Sequence, residues 1–231
     1  MKEKGFWNHT KNTEAGLVDG VNNKVDLDQI QKVAFETMGH RQVNPQREPG
    51  YIYYHGQRVG KIALQLRELI FPFQDQDDGV ILVGGWFHDV GKGIEPHWEY
   101  GALLVERILG EHCSVDQLEQ IREIVGNHTL RKEKEYPHYV QLVQDGDILD
   151  HFGSQEIWLN FWHTAYHKQN LDYALEFYET RYQKQVVKVR ELLNFEESVE
   201  FFNEKDRFVR SFVERLRKEG MGDLVGYKGK D

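Results

Sequence analysis

The chain has 231 residues, a formal net charge of -9 and 39% hydrophobic residues, enough for one compact domain with an appended arm or tail. It lacks the excess of Lys and Arg that an extended nucleic-acid surface needs. A single cysteine (Cys113) excludes an intramolecular disulfide, Met1–Gly5 lacks the apolar segment of a secretory signal, and no stretch approaches the roughly 20 apolar residues of a membrane span, so a cytoplasmic protein with no membrane association is expected.

Residues 1–25 are rich in Asn, Gly, Lys and Glu with little periodicity, and an irregular arm is expected there. A first helix is predicted over 27–38, with Asp26 as N-cap, Ile30, Val33, Ala34 and Thr37 on one face, and Gly39 at its end. Pro45 and Pro49 make 40–50 a connecting loop. From Tyr51 the character changes: His55, Val59, Ile62, Leu66 and Leu69 follow helical spacing, so a histidine lies on an apolar stripe. After a loop, the run Gly79–Phe87 is apolar nearly all round, which suits a helix buried at the centre, and it ends in His88-Asp89.

Beyond the Gly91-Lys92-Gly93 turn, Pro96 marks a helix start, and His97, Gly101, Leu104 and Ile108 repeat on one face. Ser114 is positioned to cap the next helix, whose stripe is Leu118, Ile121, Val125 and His128. A loop of mixed charge over 130–137 leads to a helix with Val140, Val143, Asp147 and Asp150 on one face. Amphipathic, aromatic-rich helical segments then run over 157–168, 171–193 and 195–217. No sustained strand alternation appears, so the predicted fold class is all-α.

Any one polar residue on these stripes reads as a hydrogen-bonded core group. Their recurrence carries the argument: His55, His88 with Asp89, His97, His128 and Asp147 take apolar-side positions on successive helices, and burying them without a common partner is costly. A shared metal removes that cost. Imidazole and carboxylate donors without thiolate suit a divalent ion such as Mn, Fe, Co, Ni or Zn, with Mg less suited. Two histidines and two carboxylates leave positions open for water and a substrate oxygen, the pattern of a catalytic site.

The order His, His-Asp and a distant Asp resembles the HD-domain superfamily of metal-dependent phosphohydrolases. His88-Asp89-Val90-Gly91-Lys92 is similar to the His-Asp-Ile-Gly-Lys of HDIG-type members, Gly146-Asp147-Ile148-Leu149-Asp150 to their Ala-Asp-x-Leu-Asp, and His97 with Gly101-Ala102 to their His-x-x-x-Gly-Ala. The resemblance spans residues 51–153. It implies a helical HD-domain bundle with additional C-terminal helices: an arm with one short helix over 1–48, a metal-binding core over 49–153, and helices packed on it over 154–231. It also implies a metal held by His55, His88, Asp89 and Asp147. Members with two metals add a histidine and a His-His pair. This chain offers His97 and His128 but has Thr129 in place of the second histidine, so one firm metal is expected and a second, weaker or substrate-assisted one, at His97 and His128.

On this resemblance Asp89 and Lys92 are the expected catalytic residues, one orienting the attacking hydroxide and the other meeting a phosphoryl oxygen as a point charge. Lys92, Arg58 and Arg131 are candidate substrate contacts, Lys132 a residue of the mouth, and Asp150 or His151 a candidate proton donor to the leaving group. His163 and His167, at i and i+4, read as exposed polar positions on an aromatic helix. His9, His40, His112, His138 and, that role apart, His151 show no partner logic. The implied activity is hydrolysis of a phosphoester or phosphoanhydride in a small phosphorylated metabolite, foremost a nucleotide, by a monomer or homodimer. The alternatives are a di-iron oxygenase, which needs two complete metal sites, and a non-catalytic nucleotide-binding regulatory module.

Overall fold

Caps and apolar stripes decide where the helices begin and which faces they bury. The computed structural model describes residues 26–226, so the arm expected over 1–25 lies outside the described residues. Helix α1 (Leu27–Met38) starts at Asp26, whose carboxylate accepts from the Gln29 amide at 3.0 Å, and buries Ile30, Ala34 and Met38. Helices α2 (Tyr51–Ile70), α3 (Asp78–Phe87), α4 (His97–Leu109), α5 (Val115–Asn127) and α6 (His138–Asp150) follow. Ser114 opens α5 through a reciprocal capping box with Gln117. Then come α7 (Ser154–Tyr166), α8 (Leu171–Phe177), a π-helical turn at Tyr178–Tyr182 that runs directly into α9 (Gln183–Arg190), and α10 (Glu196–Gly220). The described residues contain no strand and no helix long and apolar enough to cross a membrane.

The apolar helix α3 lies at the centre, with seven of its ten residues buried; α2 packs on it most extensively, followed by α5 and then α6. Glycine makes the α2–α3 contact unusually close. A Cβ on Gly56 would stand 2.4 Å from the Trp86 carbonyl oxygen, one on Gly60 2.7 Å from that of Leu82, and one on Gly85 2.4 Å from the Gly60 Cα. The two helices therefore meet backbone to backbone, which sets His55 on α2 beside His88 at the end of α3. Gly146 does the same for α6, since its Cβ would lie 3.0 Å from the Val59 carbonyl. The expected α2 stripe holds as far as Leu66; Leu69, in the last turn, is exposed.

The C-terminal helices join the core through a buried carboxylate. Asp145 on α6 accepts from the backbone amides of Asn194 at 2.9 Å and Phe195 at 3.2 Å, and from the Asn194 side chain at 2.8 Å. These bonds take the place of water around a fully buried charge. Lys132, expected at the mouth of the site, instead donates to the Leu193 carbonyl at 2.7 Å and braces the same joint.

Candidate metal centre

At the point where α2, α3 and α6 meet, His55 Nε2 lies 3.2 Å from His88 Nε2 and 3.1 Å from Asp147 Oδ1. His88 Nε2 is 3.7 Å from Asp147 Oδ1 and 3.7 Å from Asp89 Oδ2. The partners on the far side of each ring fix the tautomers. His88 Nδ1 stands 2.7 Å from the Gly85 carbonyl, which can only accept, so Nδ1 holds the proton and Nε2 a lone pair. His55 Nδ1 donates to Asp150 Oδ2 at 2.7 Å, so in the neutral ring Nε2 is the inward lone pair. With His55 neutral, lone pairs from two imidazoles and two carboxylates thus face one another, an arrangement that a cation relieves. Ligand atoms about 2.1 Å from an ion stand roughly 3.0–3.4 Å apart, so this donor set fits a divalent metal after a small contraction.

Without a metal, protonation of His55 supplies the positive charge. Burial alone would lower the pKa of His55, but its hydrogen bonds to Asp147 and Asp150 outweigh burial and raise it to about 9, which makes a proton the metal's competitor for this position. His88 goes the other way: burial dominates the attraction of Asp89 and Asp147 and lowers it to about 4. Burial opposes ionisation of Asp89 and Asp147 as well, yet both stay far below the usual carboxylate range, Asp89 through His88 and His128 and Asp147 through hydrogen bonds from His151 and His55.

Asp89 addresses a second group with its other oxygen. Its Oδ1 is 3.3 Å from His128 Nε2, 3.5 Å from His97 Nε2 and 3.4 Å from the Lys92 ammonium. His128 Nδ1 donates to the Val125 carbonyl at 2.8 Å and His97 Nδ1 to Glu95 at 3.0 Å, so both inward nitrogens again carry lone pairs. Asp89, His97 and His128 could hold a cation. Here the Lys92 ammonium, 3.2 Å from His97 Nε2, already supplies a positive charge. Thr129 contributes no nitrogen donor, and its hydroxyl is buried without a hydrogen-bond partner.

The remaining sequence candidates divide. Arg131 reaches the centre, donating to Asp147 Oδ2 and, at 3.3 Å, to the Gln144 carbonyl. Arg58, expected to meet substrate, is committed elsewhere: its Nε and Nη2 grip the two oxygens of Asp150 at 2.7 and 2.9 Å, and Asp150 in turn orients His55. Asp150 as a proton donor is likewise corrected. Both its oxygens are engaged by His55 and Arg58, and although burial would raise its pKa, these partners hold it at about 2.

Two further residues belong here: His151, until now only a candidate proton donor, and Arg41, which the sequence left without a role. His151, one turn after Asp147, places Nδ1 3.2 Å from Asp147 Oδ1 and Nε2 3.3 Å from the Tyr51 hydroxyl. Its i+4 spacing from Asp147 was the available signal. Arg41, in the loop after α1, donates to the carbonyls of Val90 and Lys92 at 2.7 Å each and pins the turn that follows the His-Asp pair. Elsewhere His138 faces Asp77 at 3.3 Å and His40 packs edge-on against Phe35. His163 and His167 stay outside both donor groups; His167 is exposed, as expected, while His163 is half-buried.

An all-α bundle that gathers His, His-Asp and a distant Asp around one point defines a class of helical proteins with a histidine–carboxylate centre. Residues 52–151 match the model of the HD domain, and this part of the chain is an HD domain. No curated protein matches the chain by sequence. Among solved structures it is similar to an HD-superfamily hydrolase from Bacillus thuringiensis (24% identity, TM-score 0.60, covering 83% of this chain and 96% of that one). It is also similar to Bacillus subtilis YpgQ in complex with ADP (18% identity, TM-score 0.57, 86% and 98% covered). A predicted HD superfamily hydrolase from an uncultured Thermotogales bacterium gives 16% identity, a TM-score of 0.57, and 84% and 92% coverage. At these identities the likeness is one of fold.

Proposed function

We propose that the chain is a metal-dependent phosphohydrolase that cleaves a phosphoester or phosphoanhydride of a small phosphorylated metabolite, foremost a nucleotide. The observation that carries this reading is the convergence of lone pairs from His55, His88, Asp89 and Asp147, with Lys92 and Arg131 as cations beside it. The names of two similar structures as hydrolases, and the ADP held by a third, point the same way.

In this reading His55, His88, Asp89 and Asp147 hold one ion of Mn, Fe, Co, Ni, Zn or Mg within a core over 49–153, and His97 and His128 contribute to a weaker second position. When bound, the ion lowers the pKa of water and polarises a phosphoryl oxygen. Asp89 accepts a hydrogen bond from the attacking water and orients it. Lys92, with 38% of its side chain exposed beside Asp89, and Arg131 offset charge that develops on the phosphoryl group. His151, between Asp147 and the Tyr51 hydroxyl, is placed to pass a proton to the departing oxygen. The Lys92 ammonium inside the second donor group weighs against a di-iron oxygenase, which would need that position for a metal.

The purified protein, assayed with Mn or Co on nucleoside mono-, di- and triphosphates, should release phosphate or pyrophosphate, and Asp89→Ala should lower kcat/KM by about three orders of magnitude or more. Undiminished activity in that variant would sink the mechanism. Two irons per chain with substrate-dependent oxygen uptake would replace it with the oxygenase.

A further inference from the structure

A cleft of about 610 Å³ opens beside the metal centre between α7 and the α8–π–α9 helix, with His151 and Arg47 at the end nearest the centre. Its cations are Arg47, Arg181 and Lys188, and its apolar wall includes Tyr173 and Phe177. Asp147 bonds His151, His151 bonds the Tyr51 hydroxyl, and the Arg47 guanidinium lies 5.5 Å from the Tyr51 ring centre, so Arg47 continues the line leading out of the centre. Further along, the Arg181 guanidinium lies 5.7 Å from the Phe177 ring. None of the three cations is paired with a carboxylate among the described residues. In a chain of net charge -9, three cations without carboxylate partners lining one cleft make a local positive field that favours an anionic ligand.

We infer that this cleft receives the non-scissile phosphates of a substrate whose scissile phosphate lies at the metal centre, so that the preferred substrates are nucleoside di- or triphosphates rather than monophosphates. The inference rests on the proposed phosphohydrolase reading and extends it to the substrate class. Arg47, Arg181 and Lys188 would contact the phosphate chain, and Phe177 with Tyr173 would give the nucleoside an apolar wall. The cleft's one carboxyl, Glu156, does little to oppose this: its residue is 9% exposed, and burial raises its pKa to about 7.

The test uses binding and turnover together. Calorimetry on the full chain, with and without Mn, compares pyrophosphate and ADP against inorganic phosphate and AMP for the wild type, Arg181→Ala/Lys188→Ala and Lys184→Ala. Lys184 lies on the same exposed helix but outside the cleft, and controls for loss of positive charge in general. The wild type should bind ADP at least about tenfold more tightly than AMP, and the double variant should lose at least about tenfold in ADP affinity while Lys184→Ala does not, as expected for charge-assisted contacts. In turnover, the double variant should lose discrimination between triphosphate and monophosphate through KM. Equal loss in Lys184→Ala, no preference for ADP over AMP, or unchanged affinity in the double variant overturns the inference, and the phosphohydrolase reading can survive each of these. Selective ADP binding lost in the double variant, but with no hydrolysis by the wild type, supports the cleft assignment while the catalytic reading fails.

Discussion

The metal centre and the cationic cleft are built on opposite principles. At the centre each inward group has a partner behind it: Gly85 holds His88, Asp150 holds His55, Arg58 holds Asp150 and Val125 holds His128. The helices that carry them touch through glycine, where even a methyl group has no room. In the cleft, Arg47, Arg181 and Lys188 reach open space from an irregular loop, a π turn and a helix surface. A site for bond cleavage needs its ligands fixed before substrate arrives, whereas a site for recognition can leave long side chains to close on the ligand. On the proposed reading, positioning falls to the core and selectivity to the appended helices.

A substitution that opens the α2–α3 contact tests the first half most severely. Gly60→Val would place branched carbon against the Leu82 carbonyl, inside a contact already at 2.7 Å for a bare Cβ, so the helices must separate. A loss of about 3 kcal/mol or more in urea unfolding is expected, together with loss of metal binding. Arg181→Ala should stay within about 0.5 kcal/mol of the wild type in the same measurement. Equal effects would dissolve the distinction between a rigid centre and a permissive cleft.

Glu156 tests the cleft side through pH. Its carboxyl is protonated to about pH 7 in the folded chain but only to its ordinary 4.5 when unfolded. Between those values the folded state binds more protons, so stability falls as pH rises, by roughly 3 kcal/mol in total. The contribution is complete below about 4.5 and gone above about 7. Glu156→Gln, neutral throughout, should remove that part of the slope in thermal unfolding followed from pH 4.5 to 8. The same slope in both proteins would show that the wall of the cleft is wetter than its burial indicates.

Local pattern made most of the fold legible. Asp26 and Ser114 stand at the helix starts where cap chemistry puts them, Pro96 directly precedes α4, and the apolar run before His88 is the buried central helix. The order of His55, His88, Asp89 and Asp147 pointed to residues that come together in space, because each lies on an inward face whose period can be counted. What was not legible depends on partners distant in sequence. Nothing near Arg58 announces that its fork will close on Asp150, 92 residues later, or that Lys132 will reach Leu193. The π turn at Tyr178–Tyr182 has no periodic signature, and it interrupts a segment that reads as one uniform helix over 171–193. The cleft it helps to line was invisible for that reason.

Arg58 gives the smallest effect and the finest cut between the two regions. Sequence position suggested a substrate contact, yet two of its nitrogens bind the two oxygens of Asp150, whose own oxygen fixes the His55 ring. Partners of this kind orient a ligand and are worth about 10- to 100-fold in metal affinity. Arg58→Ala should therefore weaken Mn binding by about that factor, read by titration calorimetry. Arg58→Lys, which keeps the charge but not the planar fork, should fall in between. KM for substrate should change little once metal is saturating, because the guanidinium acts through Asp150 and His55. Unchanged metal affinity with a raised KM would return Arg58 to the substrate, and the boundary between fixed centre and open cleft would then run through α2 itself.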